Sequence, residues 1–367
     1  MSAFLSVLVL CFGFSDLFTP VDVQVPEGWT DDCYSFEDFG RRLVGCRRWN
    51  SELQDHEVMI LDFWESVDTV RVDDERITSI GSVFPASDGG YYITCPDSFL
   101  SMQTAAARLT SSGSVSWFTP LGLELGDGRS FVELPGGGFV MGDNLYREPG
   151  CLSYHLVLLD GEGSITAELI GDLEEEVGSV EAVDEGLLIA GEMPGSGETQ
   201  AFARLFSFSG ELLWEYSCDP GMFAGFGCMD VSDAGYLFGG YYSTMEGPIT
   251  GLMAMTDIEG NELWRSSIPP DSGYQQAYIN SVLQLNDDSV VGAGFCPAAH
   301  APRDTDDALI LLLDSQGNEL ERELLGKPGE NHEGFFGLHQ DSAGEVFVYC
   351  KCRGDDYDGI RYFLMEL

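Results

Sequence analysis

"MAMTDIEGNELWRSS", residues 253–267, joins an apolar run to a turn built on Asp257 and Gly260, then to a polar strand carrying Trp264. Nearly the same statement recurs as "LLLDSQGNELERE" at 311–323 and "LFSFSGELLWEYS" at 205–217, and more faintly as "LVLLDGEGSITAE" at 156–168. Two apolar-patterned runs around an Asp/Gly turn read as strand, turn, strand. Their recurrence makes repetition the leading fact about the chain.

A second element repeats with them. The short runs "RLVGC", "YYITC", "FVMGD", "LLIAG", "YLFGG", "VVGAG" and "VFVYC" follow anchors at Arg41, Gly90, Gly138, Gly186, Gly235, Ser289 and Glu345, spaced 49, 48, 48, 49, 54 and 56 residues apart. Four residues past the anchors stand Gly45, Thr94, Gly142, Ala190, Gly239, Ala293 and Tyr349, small in all but one copy. A small residue at a fixed place in a strand lets a neighbouring sheet approach closely. A period of this length in β-patterned sequence predicts an all-β fold, a seven-bladed β-propeller of four-stranded antiparallel blades. The seventh repeat holds only three strands, "FFGLHQ", "EVFVYCK" and "IRYFLMEL". The strand "VDVQVPEGW" at 21–29 is expected to complete it, so that the N-terminal strand closes the last blade and removes its open edge.

Within each repeat Gly113, Gly163, Gly210, Gly260 or Gly317 marks a tight turn, and Asp160, Asp257 and Asp314 stand three residues before their glycines. This is hairpin chemistry, an Asp opening a turn whose Gly takes positive φ. The D-x-x-G spacing differs from the S-x-D-x-G-x-x-W Asp-box of sialidases. Trp117, Trp214 and Trp264 each follow the turn glycine by four residues, with Ala167 and Glu321 at the equivalent places. A large flat side chain there is expected to dock one blade on the next.

The chain has 367 residues, with 62 acidic against 17 basic, a formal net charge of −45. Nucleic acid and anionic membranes are excluded as partners by repulsion, whereas cations and basic ligands are compatible with it. A hydrophobic fraction of 44% is ample for a packed core. Residues 3–14, "AFLSVLVLCFGF", are too short to span a bilayer but match the core of an export signal, so 1–18 is read as a leader and 19–367 as one propeller domain. No other stretch approaches a transmembrane span. A secreted, extracellular, periplasmic or cell-surface monomer is expected. Ten cysteines suit an oxidising compartment, with Cys218 and Cys228 as the better-placed pair for a disulfide.

With their "GYLFGG" and "DIEGNELW" layout over residues 21–367, the repeats resemble secreted bacterial β-propeller repeat proteins. More distantly they resemble propellers of the quinoprotein dehydrogenase type. The resemblance implies the fold. It does not carry over the quinoprotein enzymology, because the adjacent cysteine pair of those enzymes is missing and only three of seven Trp positions are filled.

Short connections such as "SDAGY" and "NDDSV" would lie at one face of such a propeller. Long ones, "CRRWNSELQDH", "GDNLYREPGCLSYH", "CPAAHAPRDTDD" and "CKCRGDDYDG", would lie at the other. Recognition resides on long loops over a rigid scaffold, so a site is expected on the long-loop face. Asp304, Asp306 and Asp307 in the sixth repeat and Asp355, Asp356 and Asp358 in the seventh form one acidic sector whose oxygens suit calcium. Arg47, Arg48 and Trp49 form a basic-aromatic patch suited to a sugar or a carboxylate. His332 and His339 begin and end the innermost strand of the seventh blade, so one of the two is expected to face the channel as a candidate general base. The expected function is a binding or scaffolding module for a protein or carbohydrate ligand. The rival readings are a hydrolase, lyase or quinone-dependent oxidoreductase with its site at the channel mouth, and a structural surface protein.

Overall fold

The computed structural model describes residues 29–38, 42–50, 55–62, 68–96, 103–124, 130–135, 137–148, 151–196, 198–245, 247–271, 274–297, 306–325, 330–340, 346–354 and 357–365. The leader at 1–18 and residues 21–28 of the expected closing strand lie outside them; Trp29, the last residue of that stretch, opens the first strand of the first sheet. Every described element is a β-strand, and among the described residues no helix is long and apolar enough to cross a membrane. The described residues fall into two compact units, one drawn from Val23–Ile189 and Leu205–Leu212, the other from Ala190–Arg204 and Leu213–Leu367.

In the first unit, sheet 1 is β1 (Trp29–Asp38), β2 (Arg42–Asn50), β3 (Asp55–Asp62) and β4 (Asp68–Val72). Sheet 2 is β5 (Ser82–Pro85), β6 (Tyr91–Pro96), β7 (Gln103–Leu109) and β8 (Val115–Glu124). Sheet 3 is β9 (Ser130–Glu133), β10 (Phe139–Glu148), β11 (Cys151–Leu159) and β12 (Ile165–Ile170). Sheet 4, β13 (Glu176–Val183), β14 (Gly186–Pro194), β15 (Thr199–Ser207) and β16 (Leu212–Cys218), is shared between the units: β13 belongs to the first, β16 beyond Leu212 to the second, and the division falls within β14 and β15. The second unit holds sheet 5, β17 (Phe223–Ser232), β18 (Gly235–Ser243), β19 (Ile249–Thr256) and β20 (Glu262–Ile268). It also holds sheet 6, β21 (Tyr278–Gln284), β22 (Val290–Pro297), β23 (Asp306–Leu313) and β24 (Glu319–Leu325). Sheet 7 shows three strands among the described residues, β25 (Glu330–Gln340), β26 (Val346–Gly354) and β27 (Tyr357–Met365). Each sheet is an antiparallel meander, and within each unit successive sheets stack in a propeller-like way.

The anchor alignment holds residue by residue: the seven aligned runs are the second strands of the seven sheets. These strands read as continuous apolar runs because sheets cover both of their faces; β6 is buried over its first five residues and β14 over its first six. Fourth strands alternate instead, as in β12 and β20. The small-residue column does what its composition requires. A Cβ on Gly142 would sit 3.0 Å from Val180 Cγ2 of the next sheet, and one on Gly239 would sit 2.6 Å from Val282 Cγ1.

The Asp/Gly turns are built alike. Asp257 Oδ1 accepts from the Glu259 and Asn261 amides at 3.0 and 2.8 Å, Asp314 repeats this with Gln316 and Asn318, and Asp160 with Glu162 and Ser164. Gly260, with φ +82°, then sits under the indole of Trp214 from the preceding sheet, where an added Cβ would lie 2.6 Å from Cδ2. Gly163 lies in the same way under Trp117, and Gly317 under Trp264. Tryptophan is thus the docking residue between successive sheets. Where Ala167 is too small to reach the next turn, Leu169 covers Gly210; it occupies the register place held in other sheets by Thr119 and Ser266, which donate to the carbonyls of Gly163 and Gly317.

A further column, five residues before the anchors, ties first strands to the preceding sheet's turn. Glu133 accepts from the Ser87 amide and hydroxyl at 2.8 and 3.0 Å, Gln340 Oε1 from the Asn286 amide at 3.1 Å, and Gln284 Oε1 from the Ser232 hydroxyl.

Candidate functional site

An antiparallel meander places its one-to-two and three-to-four turns at one end of the sheet and its two-to-three hairpin at the other. The segments expected as long irregular loops at the hairpin end are largely paired strand. The β2–β3 ladder runs to Asn50↔Asp55, β10–β11 to Glu148↔Cys151, and β26–β27 to Gly354↔Tyr357. Ladder bonds use only backbone groups, so pairing continues through polar sequence in which no apolar alternation announces a strand. In sheet 6 the pairing reaches Pro297↔Asp306, and residues 298–305 lie outside the described residues.

This end carries a register position that the sequence analysis passes over. Six residues past the anchors, two beyond the small column, stand Arg47, Pro96, Asn144, Glu192, Tyr241, Phe295 and Lys351. Extending the alignment by two residues would have found it. In the first unit Asn144 uses both ends of its amide on the next sheet, Nδ2 donating to the Val177 carbonyl at 2.9 Å and Oδ1 accepting from its amide at 2.8 Å. In the second unit the position carries chemistry. Tyr241 donates its hydroxyl to Glu192 Oε2 at 3.1 Å. The Tyr241 ring lies 5.6 Å from that of Tyr278 at 56°, and Tyr278 stacks on its cross-strand partner Phe295 at 4.8 Å and 15°. Tyr278 in turn donates to Gln276 Oε1 at 3.1 Å. All five side chains are half-buried. Glu192 lies over Gly225, where an added Cβ would be 3.1 Å from Oε2, so the missing side chain makes room for the carboxylate.

Beside this file lies part of the expected acidic sector. Asp306 and Asp307 open β23, opposite Pro297 and Cys296. Asp307 accepts the Tyr274 hydroxyl, and burial first, then this bond and the Asp307 charge, hold the Tyr274 phenol well above its ordinary pKa. Asp271 accepts from Arg322 Nη1 at 3.0 Å, which also donates to the Pro269 carbonyl at 2.8 Å, while Nε and Nη2 engage Glu319. Asp358 lies in β27 opposite Arg353, and Asp304, Asp355 and Asp356 fall outside the described residues. Among the described residues no group of three His, Cys, Asp or Glu side chains is arranged to hold a metal ion.

Arg47, Arg48 and Trp49 lie along β2 opposite Val58, Glu57 and His56, and His332 and His339 lie in β25 opposite Cys352 and Phe347. These placements are of the backbone alone. His155 is buried, with Nε2 2.9 Å from a Glu168 oxygen. The expected Cys218–Cys228 disulfide is not formed. Cys218 is a free, buried thiol beside Arg265, and Cys228, also free, points its thiol at the Ile279 carbonyl of the next sheet. Burial pushes both thiols up, and for such groups packing rather than redox chemistry is the role.

No protein-family model and no curated protein matches the chain. Solved structures do match. Prolyl oligopeptidase B from Galerina marginata is similar over 92% of this chain and 51% of its own, with 10% identity and a TM-score of 0.51. A subtype N10 neuraminidase-like protein of A/little yellow-shouldered bat/Guatemala/060/2010 covers 78% of this chain and 96% of its own, with 11% identity and a TM-score of 0.48. A protein of unknown function from Bacteroides caccae covers 81% and 93%, with 11% identity and a TM-score of 0.42. At such identity the first of these likenesses shows the propeller-like fold and nothing of the activity.

Proposed function

We propose that the chain is an exported binding module, one seven-bladed propeller over residues 19–367 that takes its ligand at the hairpin end. The observation that carries this reading is the contrast within one register column. The scaffold positions around it repeat from sheet to sheet, while the column itself changes from amide to acid to aromatic, half-buried and touching the next sheet. Seven anchored repeats support seven blades, with the stretch 21–29, whose last residue Trp29 opens β1, proposed to complete the last one. The apolar run at 3–14 supports export, and the layout of the repeats supports kinship with secreted bacterial propeller proteins. The partner is a protein or a carbohydrate. Calcium at Asp304, Asp306, Asp307, Asp355, Asp356 and Asp358 belongs to the same reading, since Asp306, Asp307 and Asp358 sit at the hairpin ends of sheets 6 and 7.

The test is a glycan and protein binding screen repeated with two variants. Tyr241→Ala at the hairpin end is expected to abolish any binding found, and Asn318→Ala at the turn end to leave it unchanged. The reverse pattern sinks the assignment. A melting temperature that does not rise in millimolar calcium removes calcium from it.

A further inference from the structure

We propose that the fourth strands of the second unit carry a docking surface of their own, an exposed row of Leu213, Leu263 and Leu320 that takes a basic, leucine-bearing segment of another protein. The row lies at the turn end of the strands and does not depend on the hairpin-end reading. The three leucines hold one place, three residues past the turn glycines Gly210, Gly260 and Gly317. In sheets 5 and 6 that place is a β-bulge. The β19–β20 pairing steps from Met255↔Trp264 to Thr256↔Glu262 and skips Leu263, and the β23–β24 pairing steps from Leu312↔Glu321 to Leu313↔Glu319 and skips Leu320. A bulged residue drops out of the ladder and its side chain is re-aimed. Here the aim is outward: Leu213, Leu263 and Leu320 are 46%, 54% and 60% exposed.

The fold does not ask for leucine at this bulge. In the first unit the equivalent skipped residues are Ser116 and Thr166, both exposed, and the Thr166 hydroxyl donates to the Leu158 carbonyl at 3.1 Å. Leucine in three successive sheets therefore leaves apolar surface in water where a hydroxyl meets the structural need, and apolar surface that gathers in one place marks an interaction site. The row is continuous. Leu213 adjoins Trp214, whose ring covers Gly260; Leu263 follows that turn and adjoins Trp264, whose ring covers Gly317; Leu320 follows in its turn. Ile258, 50% exposed in the middle turn, extends it. Charge identifies the occupant. Glu259, Glu262, Glu319 and Glu321 stand exposed among the leucines, while Arg265 lies 4.0 Å from Glu262 and Arg322 is engaged by Glu319 and Asp271. Apolar side chains set among carboxylates complement apolar side chains set among lysines or arginines. A second copy of the chain, with its net charge of −45, and an anionic membrane are both repelled.

The experiment titrates the full chain, by calorimetry, with three synthetic peptides of equal length: one of leucine and lysine, one with serine in place of leucine, and one with glutamate in place of lysine. The leucine–lysine peptide is expected to bind, the serine–lysine peptide to bind at least about ten-fold more weakly, and the leucine–glutamate peptide not to bind. Leu263→Ser combined with Leu320→Ser should remove the advantage of leucine–lysine over serine–lysine and leave the melting temperature unchanged. Leu263→Met combined with Leu320→Met should keep that advantage, and so should Tyr241→Ala at the hairpin end. Glu259→Gln combined with Glu321→Gln should weaken the leucine–lysine peptide by about three-fold and flatten its salt dependence. The proposal is overturned if the leucine–lysine peptide has no advantage, if the serine variant keeps it, or if Tyr241→Ala abolishes it. A lower melting temperature in the serine variant makes the leucines part of the packing and overturns it as well. Self-association of the parent that the serine variant loses gives the row to a second copy, and adsorption to phosphatidylcholine vesicles that the variant loses gives it to a lipid surface; either result also overturns the assignment.

Discussion

At the turn end of the sheets, Asp257 and Asp314 hold the same two amides at the same places, and the glycines that follow them lie under Trp214 and Trp264. At the hairpin end, one register position passes from Asn144 to Glu192 to Tyr241 to Phe295 in successive sheets. Both ends lie on the same strands and meet similar neighbours. The difference is therefore one of constraint. A turn that must admit a neighbour's indole over a positive-φ glycine accepts few residues, whereas a half-buried position at a strand end accepts many and is open to being used.

The largest effect expected from breaking the turn end is Trp264→Ala. It removes the contact with Gly317 and leaves a cavity, at a cost of about 3 kcal/mol in denaturant unfolding. Gly260→Ala attacks the equivalent contact one sheet earlier from below, where the added methyl meets both a φ of +82° and the Trp214 ring, and about 2–3 kcal/mol is expected. Gly89→Ala is its control. Gly89 has φ +87° and nothing within 4 Å of the added Cβ, so only the backbone cost of about 1 kcal/mol should appear. Equal losses at the two glycines would mean that the docking contact contributes nothing. Smaller still is a tryptophan-to-phenylalanine pair. Trp117 Nε1 donates to the Gly161 carbonyl at 3.1 Å, while Trp214 Nε1 is buried without a partner among the described residues. Trp117→Phe should cost about 1 kcal/mol more than Trp214→Phe, because only the first loses a hydrogen bond and the second removes an unmet donor.

The same contrast explains what was legible in the sequence. The anchors, the small column and the Asp/Gly turns are constrained by backbone geometry, and repeated constraint leaves repeated letters; the second strands could be placed from Gly235 and Gly239 alone. Leu169 was not legible, because it performs the tryptophan's task from a place two residues further on. The column through Glu192 and Tyr241 was missed for the opposite reason: divergence between repeats looks like noise until the register shows that the residues share a place. The hairpin ladders were hidden because their polar residues pair through the backbone. The expected disulfide failed because nearness in sequence, ten residues from Cys218 to Cys228, says nothing about direction; Cys228 points at Ile279 in the next sheet.

The finest comparison sets two aspartates of sheet 5 and its turn against each other. Hydrogen bonds from the Asn261 side chain and amide hold Asp257 below its ordinary value near 3.8, while burial holds Asp230 above it, although Asp230 accepts the Gln284 amide at 2.7 Å. The signs are opposite. Asp257, with its folded pKa depressed, contributes stability that is complete above the unfolded value and is lost as pH falls through the folded one. Asp230, with its folded pKa raised, carries a penalty that is complete above the folded value and vanishes as pH falls to the unfolded one. Asn at either position keeps an acceptor oxygen and removes the titration. Asp257→Asn should therefore lower the melting temperature at pH 7 and narrow its gap to the parent as the pH drops below about 4, the ordinary carboxylate range. Asp230→Asn should match or exceed the parent at pH 7 and lose that advantage in acid. If Asp230→Asn is instead the more damaging of the two at pH 7, the charge on Asp230 is held by an interaction stronger than the Gln284 bond, and the first strand of sheet 5 belongs with the functional end of the molecule, not with its scaffold.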